Sequence, residues 1–70
     1  MKEFRISITY PMPIRAELDK QLGTFDGWYA SGSDGKTRDN VIDGSIKDLQ
    51  AIVALCPDDG QVDASFPLGV

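Results

Sequence analysis

The segment from Ala30 to Thr37 reads ASGSDGKT and fits the loose form of a phosphate-binding loop, in which five residues precede Gly-Lys-Thr. In such a loop the backbone N–H groups hold nucleotide phosphates at the start of a helix. Here Thr37 is followed by RDNVIDG, which combines β-branched residues with Asp, Asn and Gly and is a poor helix former. The segment therefore predicts a hairpin turn, and we expect Thr37 to lead into a strand.

Side chains suited to metal-assisted or acid–base chemistry are sparse. The chain has no histidine and one cysteine, Cys56, so neither a zinc site nor an activated thiol is expected. Asp34, Asp39 and Asp43 do not have the spacing of a calcium loop. No carboxylate lies in an apolar stretch that would raise its pKa for acid–base catalysis. The sequence predicts a non-enzymatic protein with no metal and no cofactor.

The length of the chain and its net charge narrow the classes of protein to which it can belong. The 70 residues, with a formal net charge of −4, predict one small domain over residues 1–70 with a thin core. The acidic balance argues against direct nucleic-acid binding, which usually needs a basic face. The N-terminus lacks the apolar stretch of a signal peptide, and no run approaches the ~20 apolar residues of a membrane span. Together with the single cysteine, these features predict a cytoplasmic protein that does not bind membranes.

Hydrophobic periodicity and turn residues predict six elements. Residues 3–10 alternate between apolar and polar, which indicates a strand with Phe4, Ile6, Ile8 and Tyr10 on its buried face. Pro13 suits the first turn of a helix that ends at Gly23, and Asp34-Gly35 marks a hairpin. Ser45 is the predicted N-cap of a second helix, with Asp48 completing a capping box. The predicted strands are 3–10, 25–32, 36–42 and 61–66, and the predicted helices are 13–22 and 46–56.

The order β-α-β-β-α-β predicts a two-layer α+β sandwich of the ferredoxin-like type. The right-handed crossover rule gives an antiparallel sheet in the order 4-1-3-2 with two helices on one face. Trp28 is expected in the core and Tyr29 on the open face, because neighbouring strand residues point to opposite sides. The predicted buried face of the second helix consists of Ile46, Leu49, Ile52, Val53 and Cys56.

Four features suggest surfaces for protein binding. Leu55 is predicted to leave an apolar flank beside Ala51 and Ala54, either covered by the C-terminal tail or used in an interface, and the second strand is an edge open to pairing. Exposed Tyr29 is the third feature. Acidic residues are also expected at both ends of the sheet, where they could attract a basic partner. One end would hold Asp34, Asp58 and Asp59 beside Pro11 and Met12, and the other would hold Asp26, Asp43 and Asp48.

These features favour a small acidic protein-binding module, an inhibitor or regulatory protein of a bacterium or its virus. Its candidate contact residues are Asp34, Asp58, Asp59, Tyr29, Leu55 and Ala51, with Trp28 as a structural support. A self-associating subunit, with a homodimer through the edge strand 25–32, is the alternative. Mimicry of a nucleic acid by the acidic residues is a minor alternative.

Overall fold

The structure, a computed structural model, describes residues 3–65, which form four strands and two α-helices in the order β-α-β-β-α-β. The strands are β1 (Phe4–Pro11), β2 (Trp28–Ser33), β3 (Thr37–Gly44) and β4 (Gln61–Ser65), and the helices are α1 (Arg15–Leu22) and α2 (Ile46–Leu55). A short 3₁₀ helix, Met12–Ile14, precedes α1. The predicted strand end at residues 66–67, and the tail beyond it, lie outside the described residues.

The strands form one antiparallel sheet in the order β2-β3-β1-β4, which reads 4-1-3-2 when counted from the other edge. β1 and β3 are central, and β2 and β4 are the two edges. The register places Ile6 opposite Ile42 on β3 and opposite Ala64 on β4. The predicted α+β architecture with a four-stranded antiparallel sheet and two helices is confirmed.

The core lies between this sheet and both helices. Its buried residues form a single cluster to which α1 contributes Leu18 and Leu22 and α2 contributes Ile52. Both helices therefore pack on the same face of the sheet. The sheet contributes Ile6, Ile8, Tyr10 and Ile42. No helix within residues 3–65 is long and apolar enough to cross a membrane.

The hairpin between β2 and β3 forms where the sequence predicts it. The Asp34 carboxylate accepts hydrogen bonds from the backbone N–H groups of Lys36 at 2.9 Å and Thr37 at 2.8 Å. Gly35 has a φ of +92°, a backbone conformation that favours glycine. Because β3 begins at Thr37, the expectation that this residue enters extended chain is confirmed.

The capping box at the start of α2 is also confirmed. The backbone N–H of Ser45 donates to Asp48 Oδ2 at 3.0 Å, and Ser45 is the N-cap residue. This contact satisfies a donor just before the first helical turn and places a negative charge near the positive end of the helix dipole.

The predicted buried face of α2 is partly wrong. Ile46 and Val53 are 50% and 54% exposed, whereas Leu55 packs against the core cluster with Leu49 and Cys56. The helix is thus rotated relative to the prediction, so that Leu55 takes a core position and the exposed apolar flank consists of Ile46 and Val53. The prediction that Leu55 lies off the buried face of this helix is therefore wrong. The C-terminal tail that was expected to cover the flank lies outside the described residues.

The predicted burial of Trp28 is wrong as well. Its side chain is 45% exposed, although its register partner Ile42 is buried in the core. Trp28 belongs to the edge strand β2, where a side chain on the core face is only partly covered. Its indole Nε1 donates a hydrogen bond to Asn40 Oδ1 at 2.9 Å.

Candidate functional site

The open face of the sheet, defined here as the side opposite the helices, is not covered by a helix within residues 3–65. Both helices pack on the other side, where the core lies. Strand alternation directs the odd-numbered residues of β1 and their register partners to this face. They are Arg5, Ser7 and Thr9 on β1, Asp43, Val41 and Asp39 on β3, and Ser65, Asp63 and Gln61 on β4.

Tyr29 lies on the open face at an irregularity in β2. Trp28 pairs with Ile42 and Ala30 pairs with Val41, so Tyr29 is an extra residue in a β-bulge. Bulges of this kind redirect a side chain and often occur beside functional sites. The Tyr29 side chain is 59% exposed, and the guanidinium carbon of Arg5 lies 4.4 Å from its ring centre.

Arg5 is also held by Asp43, on the neighbouring strand β3. Its Nε and Nη2 atoms donate to the two carboxylate oxygens of Asp43 at 3.0 and 3.2 Å. Hydrogen bonding to Asp43 raises the pKa of the Arg5 guanidinium, so this group stays charged. The bidentate pair and the stacked ring fix Tyr29, Asp43 and Arg5 as a row across three adjacent strands, β2, β3 and β1.

A shallow recess of about 350 Å³ lies on the open face beside this row. Mostly apolar atoms line it, and it opens widely to solvent. Its walls are formed by Arg5, Ser7, Val41, Asp63, Ala64 and Ser65. A small-molecule pocket encloses most of its ligand, whereas this recess is better matched to a side chain that projects from another surface.

Three predicted contact residues lie at one end of the sheet. The β2–β3 turn contains Asp34, and the turn between α2 and β4 contains Asp58 and Asp59. Both turns flank the C-terminal end of β1, since β3 and β4 pair with opposite sides of that strand. Two strand spacings separate them, about 10 Å, so these acids share one end of the sheet without converging on a single point.

The carboxylates at this end of the sheet differ in how free they are to bind a partner. Asp34 is engaged by its own turn, and hydrogen bonds from Thr37 and Lys36 lower the pKa of the Asp34 carboxyl. Asp58 and Asp59 are exposed, and neither has an ion-pair partner among residues 3–65. A basic partner would therefore meet Asp58 and Asp59 more readily than Asp34.

Most of the remaining residues that were predicted to contact a partner instead take part in interactions within the chain. Asp43 pairs with Arg5, and Asp48 caps α2. Ala51 is exposed on α2, but Leu55 packs against the core and cannot form a contact surface with it. Asp26 is exposed in the turn before β2.

A polar network between α1 and the sheet is missing from the sequence-based expectations. Asp19, on α1, accepts hydrogen bonds from the hydroxyl of Tyr10 and from Asn40 Nδ2. Arg38 Nη2 lies 2.9 Å from Asp19 Oδ2, and Arg15 Nε lies 3.6 Å from the same oxygen. The one signal in the sequence was Asn40, a polar residue at a core-facing position of β3. This signal was weak, because only the packing reveals which residues Asn40 binds.

This network is satisfied rather than reactive. Tyr10 and Asn40 are 0% and 2% exposed. Burial and the hydrogen bond to Asp19 raise the pKa of Tyr10, so its hydroxyl remains protonated. Burial also works to raise the pKa of Asp19, but hydrogen bonds from Tyr10, Arg38 and Asn40 outweigh it and hold that pKa below its ordinary value. The arrangement joins the helix to the sheet and leaves no free base.

The Cys56 thiol has surroundings that make it unreactive. It is half-buried after α2 and packs against the core cluster. Burial, with a smaller contribution from Asp59, raises the pKa of the Cys56 thiol, which disfavours the nucleophilic thiolate. No three His, Cys, Asp or Glu side chains within residues 3–65 come together as metal ligands.

Comparisons with protein-family models, with curated proteins and with solved structures found no match for this chain.

Proposed function

We propose that this chain is a small acidic, non-enzymatic protein-binding module, an inhibitor or regulatory protein that acts by occluding its partner's surface. The partner contacts the open face of the sheet. The observation that carries this proposal is Tyr29, which is 59% exposed on that face and stacked on Arg5.

The row of Tyr29, Arg5 and Asp43 has the properties of an interface anchor. Tyrosine and arginine are enriched among the residues that contribute most to binding energy. Here the bidentate pair with Asp43 already orients Arg5, and Arg5 in turn orients the Tyr29 ring. Side chains that are ordered before binding lose less conformational entropy on association, so the row favours a stable contact.

The recess beside the row adds shape to this surface. Its walls offer the methyl groups of Val41 and the aliphatic part of Arg5. An apolar side chain of the partner fits such a space, while Asp63 at the rim can attract a basic neighbour. The combination favours a protein partner with an apolar residue flanked by Lys or Arg.

The exposed acids Asp58 and Asp59 favour a second candidate contact at the end of the sheet. Two adjacent carboxylates without ion-pair partners among residues 3–65 can steer a basic protein or imitate phosphates to a nucleic-acid-binding protein. This contact would use a turn instead of the sheet face, so charge reversal at each place separates the two candidates.

Affinity capture with three baits tests the proposal. The wild type, Asp63→Lys and Asp58→Lys are used to capture proteins from the native cell extract, and bound proteins are quantified by mass spectrometry. Both substitutions change the net charge equally and lie at exposed positions, so each is the control for the other. We expect a partner whose capture falls at least about tenfold with Asp63→Lys and is retained with Asp58→Lys, since only the former faces the recess.

The opposite pattern, with capture lost only for Asp58→Lys, would replace the open face by the acidic end as the binding surface. Equal capture by all three baits would exclude both surfaces. Circular dichroism of each bait confirms that the differences do not arise from unfolding.

We further infer that the fold is of the ferredoxin-like type. The order β-α-β-β-α-β, the central positions of β1 and β3, and the packing of both helices on one face support this. An experimental structure should show right-handed crossovers from β1 to β2 and from β3 to β4. A left-handed crossover in either unit would contradict the assignment.

We infer a cytoplasmic location from the cysteine content. The single cysteine has no disulfide partner within the chain and remains a half-buried free thiol. Fractionation of the native cells, followed by detection of the protein with an antibody, tests this inference. Recovery from the membrane or extracellular fraction would contradict it.

A further inference from the structure

The outer edge of β2 is open to a further strand. β2 pairs with β3 on one side and has no neighbouring strand on its other side within residues 3–65. Every residue of β2 except Ala30 is exposed. The unpaired N–H and C=O groups of such an edge form a template for pairing with another chain.

The two edges of the sheet differ in the features that discourage such pairing. Native edge strands are commonly protected by charged side chains, prolines or bulges. β4 carries Asp63, whereas β2 has the sequence WYASGS, with neither a charge nor a proline. The bulge in β2 lies at its N-terminal end, so the segment 30–33 keeps a regular register with β3.

We propose that a second copy of this chain adds to this edge, with the two β2 strands antiparallel about a two-fold axis near Ser31 and Gly32. A two-fold axis brings the same patch of both subunits together, and within one sheet it makes the paired strands antiparallel. The side chains that meet are small, from Ala30 to Ser33, so the backbones can approach each other.

The charge distribution favours β2 over β4 as the edge to which a second copy adds. Each chain has a net charge of −4, so two copies repel each other wherever their acidic residues face one another. The β2 strand carries no charge and allows close approach, whereas β4–β4 pairing would bring Asp63 of each copy together.

The dimer would extend the sheet across both copies and place their open faces on the same side. Two Tyr29–Arg5 rows would then be available to one partner, which adds avidity to the protein binding proposed above. Because only about four to six residues pair, the contact is small, and we expect a dissociation constant of roughly 10–100 µM.

Sedimentation equilibrium of the wild type and two lysine variants tests this proposal. Gly32→Lys puts a charge in the centre of the proposed contact, and a Cβ at Gly32 meets no heavy atom within 4 Å, so the fold tolerates the change. Gln61→Lys makes the same charge change on the exposed opposite edge and is the matched control. We expect a dimer for the wild type and Gln61→Lys, and dimerisation weakened at least about tenfold for Gly32→Lys.

Amide hydrogen exchange locates the contact. Protection of the β2 amides should rise with protein concentration in the wild type and not in Gly32→Lys. A wild type that stays monomeric up to about 1 mM would overturn the proposal. A dimer that Gly32→Lys leaves unchanged would also overturn it, because such a dimer must use another surface.

Discussion

Asp19 shows how a single carboxylate can join a helix to a sheet. It receives the Tyr10 hydroxyl, the Asn40 amide and the Arg38 guanidinium, all of which belong to strands distant in sequence. Tyr10 and Asn40 are fully or almost fully buried, so each would lose a partner that water cannot readily replace. This residue therefore contributes more to stability than its place on a partly exposed helix suggests.

Replacing Asp19 by alanine should lower the free energy of unfolding by about 2–3 kcal/mol, because buried donors are left unsatisfied. Glu17→Ala, on the same helix and exposed, removes the same charge and should change the free energy by less than about 0.5 kcal/mol. Urea denaturation followed by circular dichroism measures both. Equal losses for the two variants would show that the network around Asp19 adds nothing to stability.

The same carboxylate makes stability depend on pH. The folded pKa of Asp19 lies below 3.8, its value in a model compound, so on acidification the unfolded state takes up the proton first. The stabilisation is therefore complete above about pH 5 and is lost as the pH falls through the lowered folded pKa. The free-energy difference between the wild type and Asp19→Ala should shrink between about pH 5 and pH 2. A difference that is constant or grows toward low pH would contradict this origin.

At the scale of elements, short-range signals in the sequence determine where strands and helices begin. The Ser45–Asp48 capping box starts α2, and the Asp34–Gly35 turn starts β3. Each depends on residues within three positions of one another, so both could be recognised without knowing the packing. The turn is also what distinguishes this chain from a nucleotide-binding loop, since Lys36 precedes a strand instead of a helix.

Removal of the capping carboxylate should destabilise α2. Asp48→Ala is expected to lower the free energy of unfolding by about 1 kcal/mol, because the Ser45 N–H loses its acceptor. Asp58→Ala removes the same charge from an exposed turn and is the control. Thermal unfolding monitored by circular dichroism compares them, and an equal melting temperature for both variants would exclude a stabilising role of the cap.

The turn between β2 and β3 offers a second comparison with a matched pair of glycines. Gly35→Ala should cost about 1–2 kcal/mol, since an alanine at a φ of +92° is strained. Gly32→Ala lies in extended chain with open space around its Cβ, so it should be neutral or stabilising. Chemical denaturation of both variants checks this order, and the reverse order would contradict the turn geometry.

Predictions that depended on packing were less successful than those that depended on local sequence. Alternation in β1 correctly identified the core positions Ile6, Ile8 and Tyr10. The placement of Trp28 failed because alternation gives the side of the sheet and not how far the core extends over an edge strand. The buried face of α2 failed because several apolar residues lie around that helix, and the rotation that buries Leu55 and exposes Val53 is set by the sheet beneath it.

The candidate site, like the fold, was predictable where it depends on local sequence and not where it depends on packing. The position of Tyr29 on the open face followed from strand alternation, but its contact with Arg5 depends on the bulge, which no local pattern announced. The acidic end containing Asp34, Asp58 and Asp59 followed from the order of the elements. The hydrogen-bond network around Asp19 could not be predicted. Its partners Tyr10, Arg38 and Asn40 lie 9 to 21 residues from Asp19 in the sequence and meet it only after folding.

At the scale of the whole molecule, the helices stabilise one side of the sheet and leave the other side available for recognition. Two pairs of polar side chains on the open face bind each other, Arg5 with Asp43 and Thr9 with Asp39. Tyr29 and the neighbouring recess are therefore the features of this face that a partner can bury with the greatest gain. This division between a helix-covered face and an exposed face supports the function as a binding module that is proposed above.

The affinity of the captured partner for two variants tests this account most directly. Tyr29 and Val53 are both exposed apolar side chains, at 59% and 54%, and they lie on the open face and the helix layer respectively. Isothermal titration calorimetry should give a dissociation constant at least about tenfold weaker for Tyr29→Ser and unchanged within about twofold for Val53→Ser. A loss of affinity confined to Val53→Ser would contradict the account, because the partner would then bind the helices and not the open face.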